Sequence, residues 1–384
     1  MTDDLILAEP QDQTTDIHGY VEGTADDRVK TEDGRVYQHR DYQDKAEINV
    51  VDAIIGGFRR TLLISPTGTG KNHMTALILS NKRLREYLGV PEGENMRVMY
   101  FAHKHNLLTQ GAVEIGCLDG VELITQSIFS EIPPEVLEQG WHFSVHDEAH
   151  HEPMMSFQKK LEFITDRPML GLTATPSRGD KFSLKFDKVI TAITREEAVR
   201  RGFIAPATVH SVVDMGMLNK TTLVEDLVSE YGHLMSGTIV YMKTKEQVYE
   251  VNKMLQLKGY NSVALVDCPK EYVDDVSAQF KQGELDFIVN CQMLDEGADI
   301  KGVRGVMIAR GVGVEGLLNQ IIGRSARIDI MDCNIWQFVD PLKDNLDACS
   351  VVGKDVDHYL YYIRAGKWQV DKMSSAKSMN SEVA

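Results

Sequence analysis

Short apolar runs alternate with segments that carry apolar residues at helical spacing along most of the chain. Residues 40–58 have apolar side chains on one helical face, whereas 61–64 form a short apolar run of the length that buried strands have. We predict further strands in the first half of the chain at 97–101, 121–125, 141–146 and 170–172. Strands that alternate with helices indicate an α/β fold in which helices cover both faces of a mostly parallel sheet.

A second series with the same plan begins near Ala205. It predicts strands at 207–213, 238–241, 262–266, 287–291, 306–309 and 335–339, with helices at 244–258 and 271–281. The segment 195–204 joins the two series, and 346–366 is predicted to be a terminal helix that ends at Gly366. We therefore expect an N-terminal arm (1–36), two α/β domains (37–204 and 205–345), and a C-terminal helix with a frayed tail (346–384).

Length and charge narrow the possible classes of protein. The 384 residues are too many for one ordinary domain, and the net charge of −16 argues weakly against a nucleic-acid-binding protein. Half of that charge lies in residues 1–33, which hold ten acidic and two basic side chains. This segment is interpreted as a solvated arm or a marginal hairpin, with autoinhibition or mimicry of nucleic acid as less favoured roles. No apolar stretch predicts a membrane span, no secretory signal is visible and the five cysteines show no C-x-x-C pair, so a cytoplasmic protein is expected.

The segment 65–72, SPTGTGKN, follows the first apolar strand and precedes a helix. It is close to the phosphate-binding pattern G-x-x-x-x-G-K-[ST], with Ser65 in place of the first Gly and Asn72 in place of Ser or Thr. In such a loop, glycines turn backbone N–H groups towards phosphate oxygens and the lysine adds positive charge. An ordinary strand-to-helix turn is the alternative for the loop alone. The candidate nucleotide-binding residues here are Thr67, Gly68, Thr69, Gly70, Lys71 and Asn72.

A second chemical signal, HDEAHH at 146–151, ends another predicted strand. An adjacent Asp-Glu pair suits nucleotide hydrolysis, because Asp147 can hold Mg²⁺ while Glu148 orients and deprotonates the attacking water. Downstream of a phosphate-binding loop in the same sheet, this interpretation is preferred over a solvated strand end. Asn72 is the second candidate metal ligand, through its side-chain carbonyl.

Together these motifs resemble the superfamily 2 helicases and translocases of the DEAH-type group, such as RadD-like and UvsW-like helicases and the motor subunits of restriction enzymes. The resemblance covers about residues 37–342 and implies two tandem RecA-like domains with ATP and Mg²⁺ between them. In the first domain, R-x-Y-Q at 40–43 makes Gln43 the candidate reader of adenine. The resemblance also implies that His103, Lys104 and Thr125 contact nucleic-acid phosphates, and that His150, Thr173 and Thr175 relay the nucleotide state.

In the second domain, the strand-to-helix segment at 240–245 implies phosphate contacts from Thr244 and Lys245. The segment 290–303 resembles the L-x-E-G-x-D motif and makes Asp299 a nucleotide-binding candidate. Residues 320–327, QIIGRSAR, resemble Q-x-x-G-R-x-x-R. There Arg324 and Arg327 are expected to reach the γ-phosphate as arginine fingers, and Gln320 to bond to the DEAH segment.

The function expected from the resemblance is an ATP-dependent helicase or translocase in DNA repair, recombination or replication. DNA is favoured over RNA by analogy with the family, and binding should be independent of sequence. Two alternatives stay open. One is an ATP-binding clamp or regulatory subunit whose hydrolysis is impaired by Asn72, and the other is a motor subunit that works with a separate partner chain.

Overall fold

The computed structural model of the chain describes residues 40–103, 105–151, 164, 166–174, 184–216, 218–291, 300, 302–310, 321–323, 333–340, 348, 352 and 356–373. Its elements form two α/β units, each built around one sheet. Within these ranges, no helix combines the length and the apolarity that crossing a lipid bilayer requires. The predicted arm at 1–36 lies outside the described residues.

The first unit alternates strands and helices as predicted. Its elements are α1 (Asp41–Ile55), β1 (Arg60–Ile64), α2 (Lys71–Ser80), α3 (Lys82–Tyr87), β2 (Met96–Ala102), α4 (His105–Glu114), β3 (Val121–Ser127), α5 (Pro134–Gln139), β4 (Phe143–His146), β5 (Met169–Thr173), β6 (Lys188–Thr191) and α6 (Arg195–Arg200). The strands pair in the order β3-β2-β4-β5-β1-β6, and all pairs between them are parallel. The central strand β5 is buried along its whole length, which explains why it appears as an apolar run.

This sheet brings several chemical groups to one edge. In a parallel sheet the carboxyl ends of all strands share an edge, and here Ile64 of β1 pairs with Thr173 of β5 while His146 of β4 pairs with Gly171. The loop after β1, the acidic segment after β4 and the turn after β5 are therefore neighbours. A binding site at the carboxyl edge is the usual arrangement in open α/β sheets.

The second unit contains β7 (Ala207–Val213), α7 (Lys220–Tyr231), β8 (Thr238–Tyr241), α8 (Lys245–Leu257), β9 (Ser262–Leu265), α9 (Lys270–Gln282), β10 (Phe287–Asn290), β11 (Gly305–Ile308), β12 (Cys333–Val339), β13 (Asp357–Arg364) and β14 (Lys367–Lys372). Its sheet has the order β14-β13-β7-β12-β11-β8-β10-β9. All pairs are parallel except β13 with β14. Separate apolar clusters, one containing Ile335 and one containing Trp336, cover the two faces of this sheet.

The predicted terminal helix at 346–366 is wrong over its second half, where the chain forms strand β13. Four of the five residues 359–363, YLYYI, are aromatic or β-branched, and such side chains pack well on a pleated sheet. Ala365 and Gly366 have φ values of 50° and 73°. Positive φ at both central residues is typical of a two-residue type I′ hairpin turn, so Gly366 turns a hairpin and does not end a helix.

The two cores meet without a separate linker. Ile204 belongs to the apolar cluster that contains Val50 and Leu63 of the first unit, whereas Ala205 belongs to a cluster of the second unit with Val209 and Ile335. The predicted division of the chain falls between these two adjacent residues.

Candidate functional site

The candidate phosphate-binding loop, residues 65–72, lies at the carboxyl edge of the first sheet, between the end of β1 and the first residues of α2. Gly68 and Gly70 both have φ of 85°, in the left-handed region that favours glycine. The loop is tied to the sheet by the N–H of Ser65, which donates to the carbonyl of Thr173 over 3.0 Å. The resulting backbone turn at the start of α2 has the form required to present N–H groups to an anion.

Side chains within the loop hold it in shape. The hydroxyl of Thr69 lies 2.5 Å from the hydroxyl of Ser65 and donates to the carbonyl of Pro66 over 2.6 Å. The Lys71 ammonium donates to the carbonyl of Ser65 over 3.4 Å, a long bond that a phosphate oxygen can readily replace. Ser65 is thus a structural residue of this loop at the position where the motif has glycine.

The N-terminal helix α1 braces the same loop. The Thr69 carbonyl accepts hydrogen bonds from the Tyr42 hydroxyl at 2.6 Å and from Nε2 of Gln43 at 3.1 Å. The other amide atom of Gln43, Oε1, accepts from the backbone N–H of Arg40 over 2.9 Å. The structure therefore places Gln43 against the phosphate-binding loop, and its pairing with adenine stays a prediction.

The carboxylate of Asp147 is buried directly after β4. Its Oδ2 accepts from the Tyr100 hydroxyl at 2.8 Å, and its Oδ1 accepts from the N–H of Glu148 at 2.9 Å. Burial and the adjacent Glu148 charge raise the pKa of Asp147 to about 6, against opposing contributions from Lys71 and Tyr100. A carboxylate held under these conditions gains stability when a cation approaches.

Glu148 and His150 form a connection from the acidic segment to β5. Glu148 has φ of 51°, which is uncommon for a residue with a side chain and is often found at functional sites. Nδ1 of His150 lies 3.4 Å from Oε2 of Glu148 and 3.2 Å from Oγ1 of Thr173. One predicted coupling residue, His150, thus meets the predicted base, and it also contacts a second one, Thr173.

The donor set around Asp147 fits a magnesium ion. Asn72, the second residue of α2, is half-buried, and its side-chain carbonyl and the Asp147 carboxylate are both hard oxygen ligands. Among the described residues, no cluster of three or more His, Cys, Asp or Glu forms a complete metal cage. Mg²⁺ is commonly held by one or two protein oxygen ligands together with phosphate and water oxygens.

The second domain reaches the phosphate-binding loop at Gly323. A Cβ atom built on Gly323 would lie 2.5 Å from both Cβ and Cγ2 of Thr67, so the backbone of Gly323 approaches the Thr67 side chain more closely than a residue with a Cβ atom allows. Gly323 is buried, and 321–323 are helical. The residue that precedes predicted arginine finger Arg324 therefore lies on the loop itself.

Several predicted residues lie outside the described part of the chain. They are Lys104, Thr175, Asp299, Gln320, Arg324 and Arg327. Their roles remain predictions.

The nucleic-acid candidates of the first domain lie at the same carboxyl edge, towards β2 and β3. His103 is buried directly after β2, and Thr125 is exposed on the edge strand β3. The sheet order places both on the side of β4 that faces away from β1. Nucleotide and nucleic-acid candidates therefore occupy different parts of one edge.

The two candidates of the second domain are partly engaged by neighbours. Thr244 is the N-cap of α8, where its hydroxyl accepts from the N–H of Gln247 over 3.3 Å. Lys245 is ion-paired with Asp267. Because both members of that pair are exposed, the pairing is weak and a phosphate can replace the carboxylate.

The roles of Tyr42 and Tyr100 and the side-chain contacts of the connecting segment 195–204 were not predicted from the sequence. A signal existed for Tyr100, because a phenol in a fully buried strand needs a hydrogen-bond partner. Arg201 lies against the ring of Phe203 at 4.6 Å and is ion-paired with Asp41, which fastens the connecting segment to α1. No local pattern indicates this last contact.

Comparison with known proteins agrees with this geometry. Residues 219–329 match the helicase conserved C-terminal domain. Over this segment the chain is therefore similar to helicases. It is also similar to IRC3 of Saccharomyces cerevisiae, which is named as an ATP-dependent helicase, with 23% identity over 354 residues. That match covers 78% of this chain and 51% of IRC3, so the chain spans about half the length of this relative.

The chain shares its fold with solved structures, two of which come from restriction enzymes. A fragment described as an HsdR subunit of a type I restriction enzyme from Vibrio vulnificus YJ016 has a TM-score of 0.66 at 18% identity, covering 87% of this chain and 71% of its own. The type ISP restriction-modification enzyme LlaBIII, bound to DNA, has a TM-score of 0.62 at 17% identity, covering 83% of this chain and 30% of its own. The expected RecA-like fold and the resemblance to superfamily 2 motors are confirmed, while the DEAH subgroup stays a prediction.

Proposed function

We propose that this chain is an ATP-driven motor that moves along or unwinds DNA. The observation that carries the proposal is the contact of Gly323 with Thr67, because it puts the phosphate-binding loop at the interface of the two domains. A nucleotide bound there touches both domains, so binding favours a closed arrangement and hydrolysis releases it.

In this mechanism the first domain prepares the chemistry. The loop N–H groups and Lys71 would hold the β- and γ-phosphates, and Asp147 with Asn72 would hold a magnesium ion, which would supply positive charge against the phosphate oxygens. Bound ATP supplies a phosphoryl group whose transfer to water releases free energy. Glu148 orients the attacking water and accepts its proton, and the second domain contributes Arg324 and Arg327 to the developing charge.

The His150 connection gives a route from the nucleotide to the centre of the first sheet. His150 contacts Glu148 and Thr173, and Thr173 in turn holds the loop through Ser65. A change at the γ-phosphate that moves Glu148 therefore acts on a series of side-chain contacts that ends at the adjacent strands β5 and β1. We infer that this series carries the nucleotide state to β5.

DNA is proposed as the substrate because LlaBIII, which shares the fold, is bound to DNA and the HsdR fragment belongs to a restriction enzyme. The test is ATP turnover measured with no nucleic acid and with single-stranded DNA, duplex DNA, forked DNA and RNA. We expect DNA to stimulate turnover most. Nucleotide binding without stimulation by any of these would refute the motor, and stronger stimulation by RNA would refute the choice of DNA.

Asn72 supports a second candidate, an ATP-binding clamp with impaired hydrolysis. Asn72→Thr restores the hydroxyl of the common motif and should raise turnover if the amide misplaces the metal. If the amide oxygen is an adapted ligand, Asn72→Thr lowers turnover and Asn72→Ala lowers it further, and both raise the Mg²⁺ concentration that is required for half-maximal rate. The matched pair separates the two cases in one Mg²⁺ titration.

The similarity to HsdR and LlaBIII supports a third possibility, a motor that serves a partner subunit. Such a motor translocates on duplex DNA without unwinding it. Displacement of a third DNA strand from a triplex, with no separation of a fork, would favour this activity over a helicase.

A further inference from the structure

The hairpin of β13 and β14 is the part of the second domain that the motifs do not explain. Strand β13 pairs in parallel with β7, and β14 pairs with β13 at the edge of the sheet. Its turn, Ala365–Gly366, follows the carboxyl end of β13. Since β13 is parallel to β7 and β8, the turn projects from the same edge of the sheet as Thr244 and Lys245.

The base of the hairpin is fixed to the domain. The Tyr361 hydroxyl lies 2.9 Å from Nδ1 of the buried His210, and Nε2 of His358 lies 2.8 Å from the hydroxyl of Ser211. Tyr361 also packs in an apolar cluster with Trp336. A hairpin anchored in this way can transmit force and need not be ordered on binding.

The tip extends beyond the neighbouring strand. Tyr361 is the last β13 residue paired with β7, where it stands opposite Val212, and β13 continues to Arg364. At about 3.3 Å per residue, the three residues 362–364 and the turn carry the tip roughly 10 Å past that pairing.

The tip carries two cations that have no acidic partner within the described part of the chain. Arg364 and Lys367 stand opposite each other, both exposed, on either side of the turn. Lys372 at the base is instead ion-paired with Asp357 at 2.7 Å. Ile363 beside the tip is exposed by 43%, so the surface offers apolar contact as well as charge.

We propose that the tip of this hairpin, formed by Arg364 and Lys367, contacts the phosphates of duplex DNA. The inference rests on the proposed function. It specifies that the second domain holds the DNA phosphates through this hairpin tip. Two free cations in an acidic chain are complementary to a phosphate backbone, and a two-stranded ribbon has the width that a major groove admits.

The spacing agrees with a duplex that follows the sheet edge. Four strand intervals separate β13 from β8, which corresponds to about 19 Å. A DNA strand passes about six phosphates over that length at 3.4 Å each. One duplex segment can therefore reach from the helix-start loop at Thr244 to the hairpin tip.

The test measures the affinity of the full chain for a labelled DNA duplex across a range of salt concentrations, without ATP. The tip variant is Arg364→Gln with Lys367→Gln, and the matched control is Lys372→Gln, which removes one charge from the paired base. Each phosphate contact contributes about 0.9 to the slope of log affinity against log salt, or roughly eightfold at 0.1 M salt. The tip variant should lose a slope of about 1.8 and up to about 60-fold in affinity, whereas the control stays close to wild type.

The outcomes separate this proposal from the motor itself. A tip variant that binds duplex DNA with the wild-type affinity and slope overturns it, as does a wild-type chain that binds no duplex. An equal loss in the Lys372→Gln control also overturns it, since the effect would then be one of general charge. If the tip variant loses affinity while DNA fails to stimulate ATP turnover, the hairpin contact stands and the motor fails.

Discussion

The contact between Gly323 and Thr67 predicts that a single methyl group will impair closure of the two domains. Gly323→Ala places a Cβ atom 2.5 Å from two carbon atoms of Thr67, whereas optimal carbon–carbon separations are about 3.5–4.0 Å. The domains must therefore separate by about 1 Å or more at this point. Rotation of the Thr67 side chain about χ1 moves Cγ2 but leaves Cβ in place, so a change of rotamer alone does not relieve the overlap.

The magnitude follows from the cost of overpacking, which is typically 1–3 kcal/mol. At 1.36 kcal/mol per tenfold, closure becomes about 5- to 150-fold less favourable. Because Gly323 lies in a helical segment, alanine there should not destabilise the second domain and can stabilise it by up to about 1 kcal/mol. Stimulated ATP turnover should fall by the closure factor while the thermal midpoint of the chain is kept or raised.

The assay combines turnover with a double-mutant cycle. Thr67→Gly removes both carbon atoms that the new methyl group meets, so it should recover part of the loss in the Gly323→Ala background. The coupling free energy between the two substitutions is expected to exceed about 1 kcal/mol, which lies within the range found for residues in contact. Full turnover by Gly323→Ala alone, or additive effects of the two changes, would show that the domains do not close through this contact.

Two further predictions concern the chemistry and the stability of the chain. Glu148→Gln should lower ATP turnover by about 10²–10⁴-fold while nucleotide binding persists. Its control is Glu138→Gln on the exposed face of α5, which should leave turnover unchanged. Substantial turnover by Glu148→Gln would contradict the role of general base. Burial lowers the pKa of His210 from 6.5 to about 4, so neutral His210 supports folding fully above pH 6.5 and this support is lost as the pH falls towards 4. The loss reaches about 3 kcal/mol in the unfolding free energy. The unfolding free energy of His210→Gln, measured by denaturant unfolding, should therefore depend less on pH between 6.5 and 4. The same pH dependence in the variant and the wild type would argue against a buried neutral His210.

Much of the first domain could be predicted because its signals are local. A glycine-rich loop after an apolar strand and an acidic pair after another depend on neighbours in the chain, and parallel pairing then brings Lys71 and Asp147 to one edge. The strand at 207–213 was predicted with its full bounds although Thr208, His210 and Ser211 interrupt its apolar pattern, because its β-branched residues favour a strand.

The contacts that complete the site could not be predicted in this way. The bond from Tyr100 to Asp147 and the approach of Gly323 to Thr67 join segments that are far apart in sequence, and neither changes the pattern around it. The hairpin was missed because a Gly after a mixed apolar segment fits both a helix end and a type I′ turn, and only the partner strand distinguishes the two.

The junction at Ile204 and Ala205 has a kinematic consequence. Because consecutive residues belong to different cores, no flexible linker at this junction would allow one domain to translate away from the other. Pro206 follows at once and has a fixed φ, which leaves only a few backbone torsions to move. Relative motion must then be a rotation about this point, with displacements that grow in proportion to distance from it, so paired fluorophores should report changes that increase with their separation from residue 204.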